Sequence, residues 1–304
     1  MVKQQISLRR KAITPISAVL LSASLVACAT PTNASGTSAT ASTSMPSTPA
    51  ASETRKVTNA EHELVFHVID GKSPALVLDA GGGLSSLYWK DLAPRLAKAT
   101  GSKVVTYDRA GEGESEEVSG PWRVENAVSD LEAGLKELGV TKDVVLVSHS
   151  IAGEVATNFV TKNPGWVSGA VLVDANVPDF FTDEMLTAFA PMVEEQRTAL
   201  LAQPSTKKNR QLLAVMVDYA PAHRVFHKLS WPKDVPVTAI VASQTPFADS
   251  PAAAELWRDG QARFAQAGPN RKHVVAENTS HEGIVTERPD IITDAVDDVL
   301  KTIR

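Results

Sequence analysis

Val144-Val-Leu-Val-Ser148-His-Ser150-Ile-Ala-Gly153 is the stretch that decides the fold. Val144 to Val147 is an apolar run of buried-strand length, and Ile151 to Val160 reads as the start of a helix. Between them lies small-x-Ser-x-small, with Ser148 and Ala152 flanking Ser150 at two residues' distance. A strand reverses into a helix this abruptly only if the central residue accepts a strained backbone and its flanking neighbours are small. The Ser150 hydroxyl then stands above the end of a sheet, and the Ile151 N–H sits at a helix N-terminus, where an oxyanion would be stabilised. The pattern points to a nucleophilic serine; the alternative is a serine that only caps the helix.

Outward from this corner, strand and helix alternate. His62 to Ile69 suits an antiparallel edge strand ending at Asp70-Gly71. Ala75 to Ala80, Val104 to Tyr107, Ala170 to Val173, Val237 to Ala242 and His273 to Ala276 are short strands, most of them continuously apolar. Leu87, Leu92 and Leu96 suggest a helix kinked or divided by Pro94, and Val124 to Leu138 a helix stopped by Gly139. Ile291 to Leu300 forms the last helix. The expected class is α/β, a mostly parallel central sheet with helices on both faces. From about 178 to 230 the rhythm breaks into helices rich in Phe180, Phe181, Met185, Leu186, Phe189 and Met192. This insertion after the strand at 170–173 predicts a helical cap over the open end of the sheet.

Before the domain lies a different kind of chain. Lys3, Arg9, Arg10 and Lys11 precede an apolar stretch from Ala12 to Ala27, the plan of a signal peptide over residues 1–27. Leu25-Val-Ala-Cys28 resembles a bacterial lipoprotein signal, which implies cleavage before Cys28 and a lipid on that cysteine. An ordinary secretory signal cut near Ala29 is the plainer reading. Cys28 is the one cysteine in the chain, so disulfides, structural zinc and thiol catalysis are excluded from the mature domain. Residues 28–56, rich in Ser, Thr, Ala and Pro, cannot bury enough surface to order themselves and are expected to be a flexible tether, with the domain running over 57–304. The expected location is therefore outside the cytoplasm, anchored to a bacterial membrane. Loss of the leader's four cations takes the net charge from −5 to −9, which argues against nucleic acid as a partner.

Four segments in order carry a family resemblance: Gly81-Gly82-Gly83 after an early strand, Asp108-Arg-Ala-Gly-Glu-Gly-Glu-Ser115, the Ser150 corner, and Ser280-His-Glu-Gly283. Over residues 60–304 the chain resembles the α/β-hydrolase superfamily, especially its serine esterases and lipases. The resemblance implies a triad in the order nucleophile, acid, late histidine. Ser150 takes the nucleophile's place and His281, 131 residues later, the general base's. Gly81, with Gly82 beside it, and Ile151 would supply oxyanion N–H groups. Asp79-Ala80 replaces the family's frequent His-Gly, and Ser148 and Ala152 replace its elbow glycines.

The acid is left open. After Val237 to Ala242, where the family usually supplies it, the chain reads Ser243-Gln-Thr-Pro246 with no carboxylate. Asp174, at the end of the strand 170–173, is the first candidate; Asp249, Glu255 or no acid at all are the others. Asp108 and Arg109 are expected to form a structural ion pair beneath the site loops, and His149 to point away. His223 and His227 have metal-ligand spacing without a third ligand, so a solvated helix face is expected. The function implied is hydrolysis of an ester or related acyl bond in a small, partly hydrophobic substrate, with no cofactor. A ligand-binding protein without turnover is the competing class. An aminopeptidase would need cap carboxylates such as Asp183, Glu184, Glu194 or Glu195 to hold an amine.

Overall fold

The computed structural model describes residues 52–247 and 250–303. Cys28, the leader, the tether up to residue 51, and Asp249 lie outside the described residues. In chain order the elements are β1 (Glu53–Asn59), β2 (His62–Ile69), β3 (Lys72–Asp79), a 3-10 turn (Ser86–Trp89), α1 (Leu92–Thr100), β4 (Ser102–Asp108), α2 (Val124–Glu137), β5 (Val144–His149) and α3 (Ala152–Lys162). There follow β6 (Val167–Val173), a second 3-10 turn (Pro178–Phe180), α4 (Asp183–Leu201), α5 (Lys207–Met216), α6 (Tyr219–His227), β7 (Val237–Gln244), α7 (Pro251–Gln266), β8 (Arg271–Ser280), α8 (Ile284–Glu287) and α9 (Pro289–Thr302).

The strands form one eight-stranded sheet in the order β1-β2-β4-β3-β5-β6-β7-β8. β1, β2 and β4 pair antiparallel, and every pairing from β4 through β3 to β8 is parallel. Successive side chains of a strand face opposite sides. Accordingly Leu146 and Leu172 pack with Val128 and Leu131 of α2 and Val155 and Phe159 of α3, while Val145, Val147 and Val171 pack with Leu92 and Leu96 of α1 and Ile292 and Val296 of α9. Burial on both faces is why these strands read as continuous apolar runs. The α/β class, the mostly parallel sheet and the helical insertion between β6 and β7 are as expected.

Three local expectations are corrected. β2 is not an edge strand: β1, Glu53–Asn59, pairs along its whole length. Only Val57 of β1 is buried; charged residues on an exposed edge discourage pairing with other chains and also disguise the strand as tether. The helix expected through Leu87, Leu92 and Leu96 is divided ahead of Pro94 rather than at it, into the 3-10 turn Ser86–Trp89 and α1. Pro94 lies in the first turn of α1, where its missing N–H would have no intrahelical acceptor. α7 was not foreseen. Ser250 caps it by accepting from the Ala253 N–H, Pro251 occupies its first position, and Ala253, Trp257 and Phe264 form its buried face.

Candidate active site

Ser150 occupies the turn between β5 and α3 with φ of 57°, the left-handed region that only a tightly constrained non-glycine residue adopts. The constraint is visible around it. Ala152 is fully buried, and the Ser150 carbonyl accepts from the N–H groups of Gly153 (3.0 Å) and Asn176 (2.8 Å). A Cβ on Gly153 would fall 2.2 Å from the Asn176 carbonyl oxygen, so the glycine lets the chain after β6 lie directly against the corner.

His281 follows β8, and its Nε2 lies 3.0 Å from Ser150 Oγ. Its Nδ1 lies 2.6 Å from Asp174 Oδ2. Facing a carboxylate, Nδ1 carries the hydrogen, which leaves Nε2 to accept from the hydroxyl. Asp174, fully buried at the end of β6, also accepts through Oδ1 from the Trp257 indole N–H (2.8 Å) and the Ala242 N–H (3.3 Å). The structure thus brings Ser150, His281 and Asp174 into one line. Glu255 is exposed on α7.

His149 does not point away. It lies against the His281 ring, centroids 4.7 Å apart, and its Nε2–H donates to the His281 carbonyl at 2.9 Å. Burial first, and then neighbouring His281, hold its pKa well below the usual imidazole range, so it stays neutral. Gly81 presses on the same group: a Cβ there would stand 2.8 Å from His149 Nδ1 and 3.2 Å from Ser150 Cβ. The N–H groups of Gly81, Gly82 and Ile151 have no acceptor among the described residues, whereas those of Gly83 and Leu84 are taken by Glu112 Oε1 (2.9 Å) and the Gly81 carbonyl (3.2 Å).

The glycine loop rests on a buried ionic network that differs from the expected one. Arg109 pairs with Asp79 and with Glu112 (2.8 Å), and donates to the carbonyls of Ala80 and Gly81 (2.8 Å to the latter). Asp108 is not its partner; it accepts from the N–H groups of Ser86 (2.7 Å) and Glu114 (2.8 Å). The motif places Asp108 and Arg109 side by side in sequence, but at a strand end successive side chains diverge. Burial pushes the Glu112 carboxyl up to about 7 against the opposing pull of Arg109.

A cavity of about 350 Å³ opens above Ser150, lined by Gly81, Ile151 and His281 below and by apolar cap residues such as Phe181, Leu212 and Met216 above. Asp183, Glu184, Glu194 and Glu195 do not line it; they lie on the exposed face of α4, Asp183 pairing with Arg224 and Glu194 with Arg197. His223 is not on a solvated face either. It is buried, its Nε2 3.0 Å from Glu154 Oε1 and its ring stacked on Phe181 with centroids 4.0 Å apart. His227 Nδ1–H donates to the Pro178 carbonyl at 2.7 Å. Among the described residues no group of three potential ligands is arranged to hold a metal ion.

Sequence reading missed Trp257 and Gln196, both of which line this cavity. Trp257 would have been signalled by the Ser-Pro start of α7, whereas Gln196, between Glu195 and Arg197, carries no signal at all.

A model of the Alpha/beta hydrolase family matches residues 76–295. Over 115 residues the chain is 33% identical to the uncharacterized protein YqjL of Bacillus subtilis (strain 168), a match spanning 36% of this chain and 45% of that relative. A thermophilic esterase from Thermogutta terrifontis superimposes with a TM-score of 0.56 at 21% identity, covering 83% of this chain and 99% of that one. An epoxide hydrolase from Vigna radiata does so with a TM-score of 0.62 at 15% identity, covering 83% and 98%. At such identities the two structures share a fold with this chain, and the fold serves different chemistries.

Proposed function

Because this chain belongs to the Alpha/beta hydrolase family, we propose that it is a serine hydrolase that cleaves an ester or related acyl bond of a small, partly hydrophobic substrate. The observation that carries this reading is the position of His281, 3.0 Å from Ser150 Oγ on one side and 2.6 Å from Asp174 on the other. Ser150 Oγ attacks the carbonyl carbon as its proton passes to His281 Nε2, and Asp174 stabilises the imidazolium. The carbonyl electron pair moves onto oxygen, which accepts from the N–H groups of Ile151 and of Gly81 or Gly82. Collapse expels the alcohol, protonated by His281, and leaves acyl-Ser150. Water, deprotonated by the same nitrogen, repeats the sequence in reverse. These steps call on no metal or organic cofactor.

Serine also argues against epoxide or halide chemistry on this fold. Its attack on a saturated carbon would leave an ether, which offers no carbonyl for water to attack, whereas an aspartate in that place would leave an ester. The aminopeptidase reading loses the four α4 carboxylates, which lie outside the cavity; the one carboxylate among the lining residues is Glu282, exposed beside His281. The ligand-binding reading rested on the missing carboxylate after Ala242, and Asp174 approaches His281 from the neighbouring strand instead. The proposal also places the domain outside the cytoplasm, held to a bacterial membrane by a lipid on Cys28.

Treatment of the purified domain with a fluorophosphonate, followed by peptide mass measurement, tests the activity. The label is expected on Ser150, absent in Ser150→Ala, and slowed on the order of 10³-fold in His281→Ala. A wild-type Ser150 that stays unlabelled overturns the reading in favour of a ligand-binding protein.

A further inference from the structure

The cap wall of the cavity is largely apolar along α4 and α5, with Val193, Leu212, Val215 and Met216 lining the space above Ser150 and Lys208 at the start of α5 also reaching it. Gln196 interrupts it. This side chain lines the cavity, is 8% exposed, and follows Val193 and precedes Leu200 on the inward face of α4. Its amide nitrogen is buried without a hydrogen-bond partner among the described residues, and its oxygen makes no hydrogen bond among them either. A buried carboxamide without a partner destabilises a fold relative to an apolar side chain of the same size. Tyr219 of α6, which packs against α4, lines the same cavity, and its hydroxyl is likewise without a partner among the described residues.

We infer that Gln196 is a specificity-determining residue whose carboxamide hydrogen-bonds a second oxygen, a hydroxyl or a carbonyl, carried on the otherwise apolar part of the acyl substrate. The inference rests on the serine-hydrolase reading of the same cavity. A carboxamide donates through nitrogen and accepts through oxygen, so it can satisfy either group. Val193, Leu212, Val215 and Met216 supply apolar contact, and the carboxamide fixes where along the chain the oxygen must lie.

Two panels of synthetic esters test this. In one, nitrophenyl esters of linear acids carry a hydroxyl or keto carbon moved stepwise along the acyl chain; in the other, acetates of linear alcohols carry it along the alcohol. Each is compared with its plain hydrocarbon match by kcat/KM. The wild type is expected to favour one oxygenated position over the plain chain about ten-fold or more. Gln196→Met, of similar length, is expected to lose that preference and to melt at a higher temperature. The inference is overturned if no position is favoured more than two-fold by the wild type, or if the preference survives in Gln196→Met. It is overturned equally if that variant melts lower, because the amide would then be holding the cap together. Fluorophosphonate labelling of the same preparation separates the two readings: a labelled Ser150 with a flat panel removes the role of Gln196 alone, and an unlabelled Ser150 removes the hydrolase.

Discussion

At Asp174 a buried carboxylate receives three donors, from His281, Trp257 and Ala242, and no solvent. Such a group orients an imidazole by charge and by geometry together. Asp174→Asn keeps the shape but can turn an N–H toward His281 and impose the wrong tautomer. Its kcat on a nitrophenyl ester is expected to fall on the order of 10³ to 10⁴-fold, with folding intact by circular dichroism. Trp257→Phe removes one donor and should lower kcat only about ten-fold, leaving KM nearly unchanged. A larger loss in Trp257→Phe than in Asp174→Asn would show that packing, not the carboxylate, positions His281. Ser150 and His281 were legible in sequence because each carries local punctuation, a strand-to-helix corner and a late histidine ahead of the last helix. Asp174 was one candidate among several, since an aspartate ending a strand is common and only the sheet order puts β6 within reach of the turn after β8.

Among the elements, α6 of the cap is tied to α3 of the core by one buried pair, His223 with Glu154, which also accepts from the Asn176 side chain. Burial by itself would lower the His223 pKa, but the charge and hydrogen bond of Glu154 outweigh it and raise it above the ordinary imidazole value. A raised folded-state pKa contributes stability that is fully present below the unfolded value, about 6.5, and that disappears as pH rises through the folded one. Relative to a Glu154→Leu/His223→Phe double variant, the wild type should therefore resist urea best near pH 5.5 and lose that advantage toward pH 9. His223→Phe alone strands the Glu154 charge and should cost about 3 kcal/mol near neutral pH, most of it recovered in the double variant. An advantage that grows with pH would contradict the pairing. None of this was readable beforehand. The spacing of His223 and His227 suggested a face of α6, but whether that face meets water or Phe181 depends on how the cap settles on the core. β1 and α7 escaped for a related reason: the burial of Val57 and Trp257 comes from neighbours distant in sequence.

For the whole molecule, the strand-helix alternation was legible because buried parallel strands write themselves as apolar runs, while the order β1-β2-β4-β3-β5-β6-β7-β8 comes from pairings between segments far apart in the chain. Parallel pairing from β5 through β8 puts the serine corner, the Asp174 strand end and the late histidine at the same end of the sheet, so the proposed chemistry belongs to the domain built on these strands. Attachment to a membrane would then be a separate property, residing in the leader and Cys28. The mature chain would carry a net charge of −9 once the leader's four cations are removed, so anionic lipid surfaces repel it and any retention must come from acyl chains. Each buried methylene contributes about 0.8 kcal/mol, so two or more acyl chains hold firmly where charge does not. In cells expressing the full chain, the wild type is expected to sediment with membranes, to stay there through high-salt washing and to be released by detergent. Cys28→Ser should move it to the soluble fraction with unchanged kcat toward a water-soluble ester. Release of the wild type by salt, or retention of Cys28→Ser on the membrane, would refute anchoring through that cysteine without touching the assignment of Ser150.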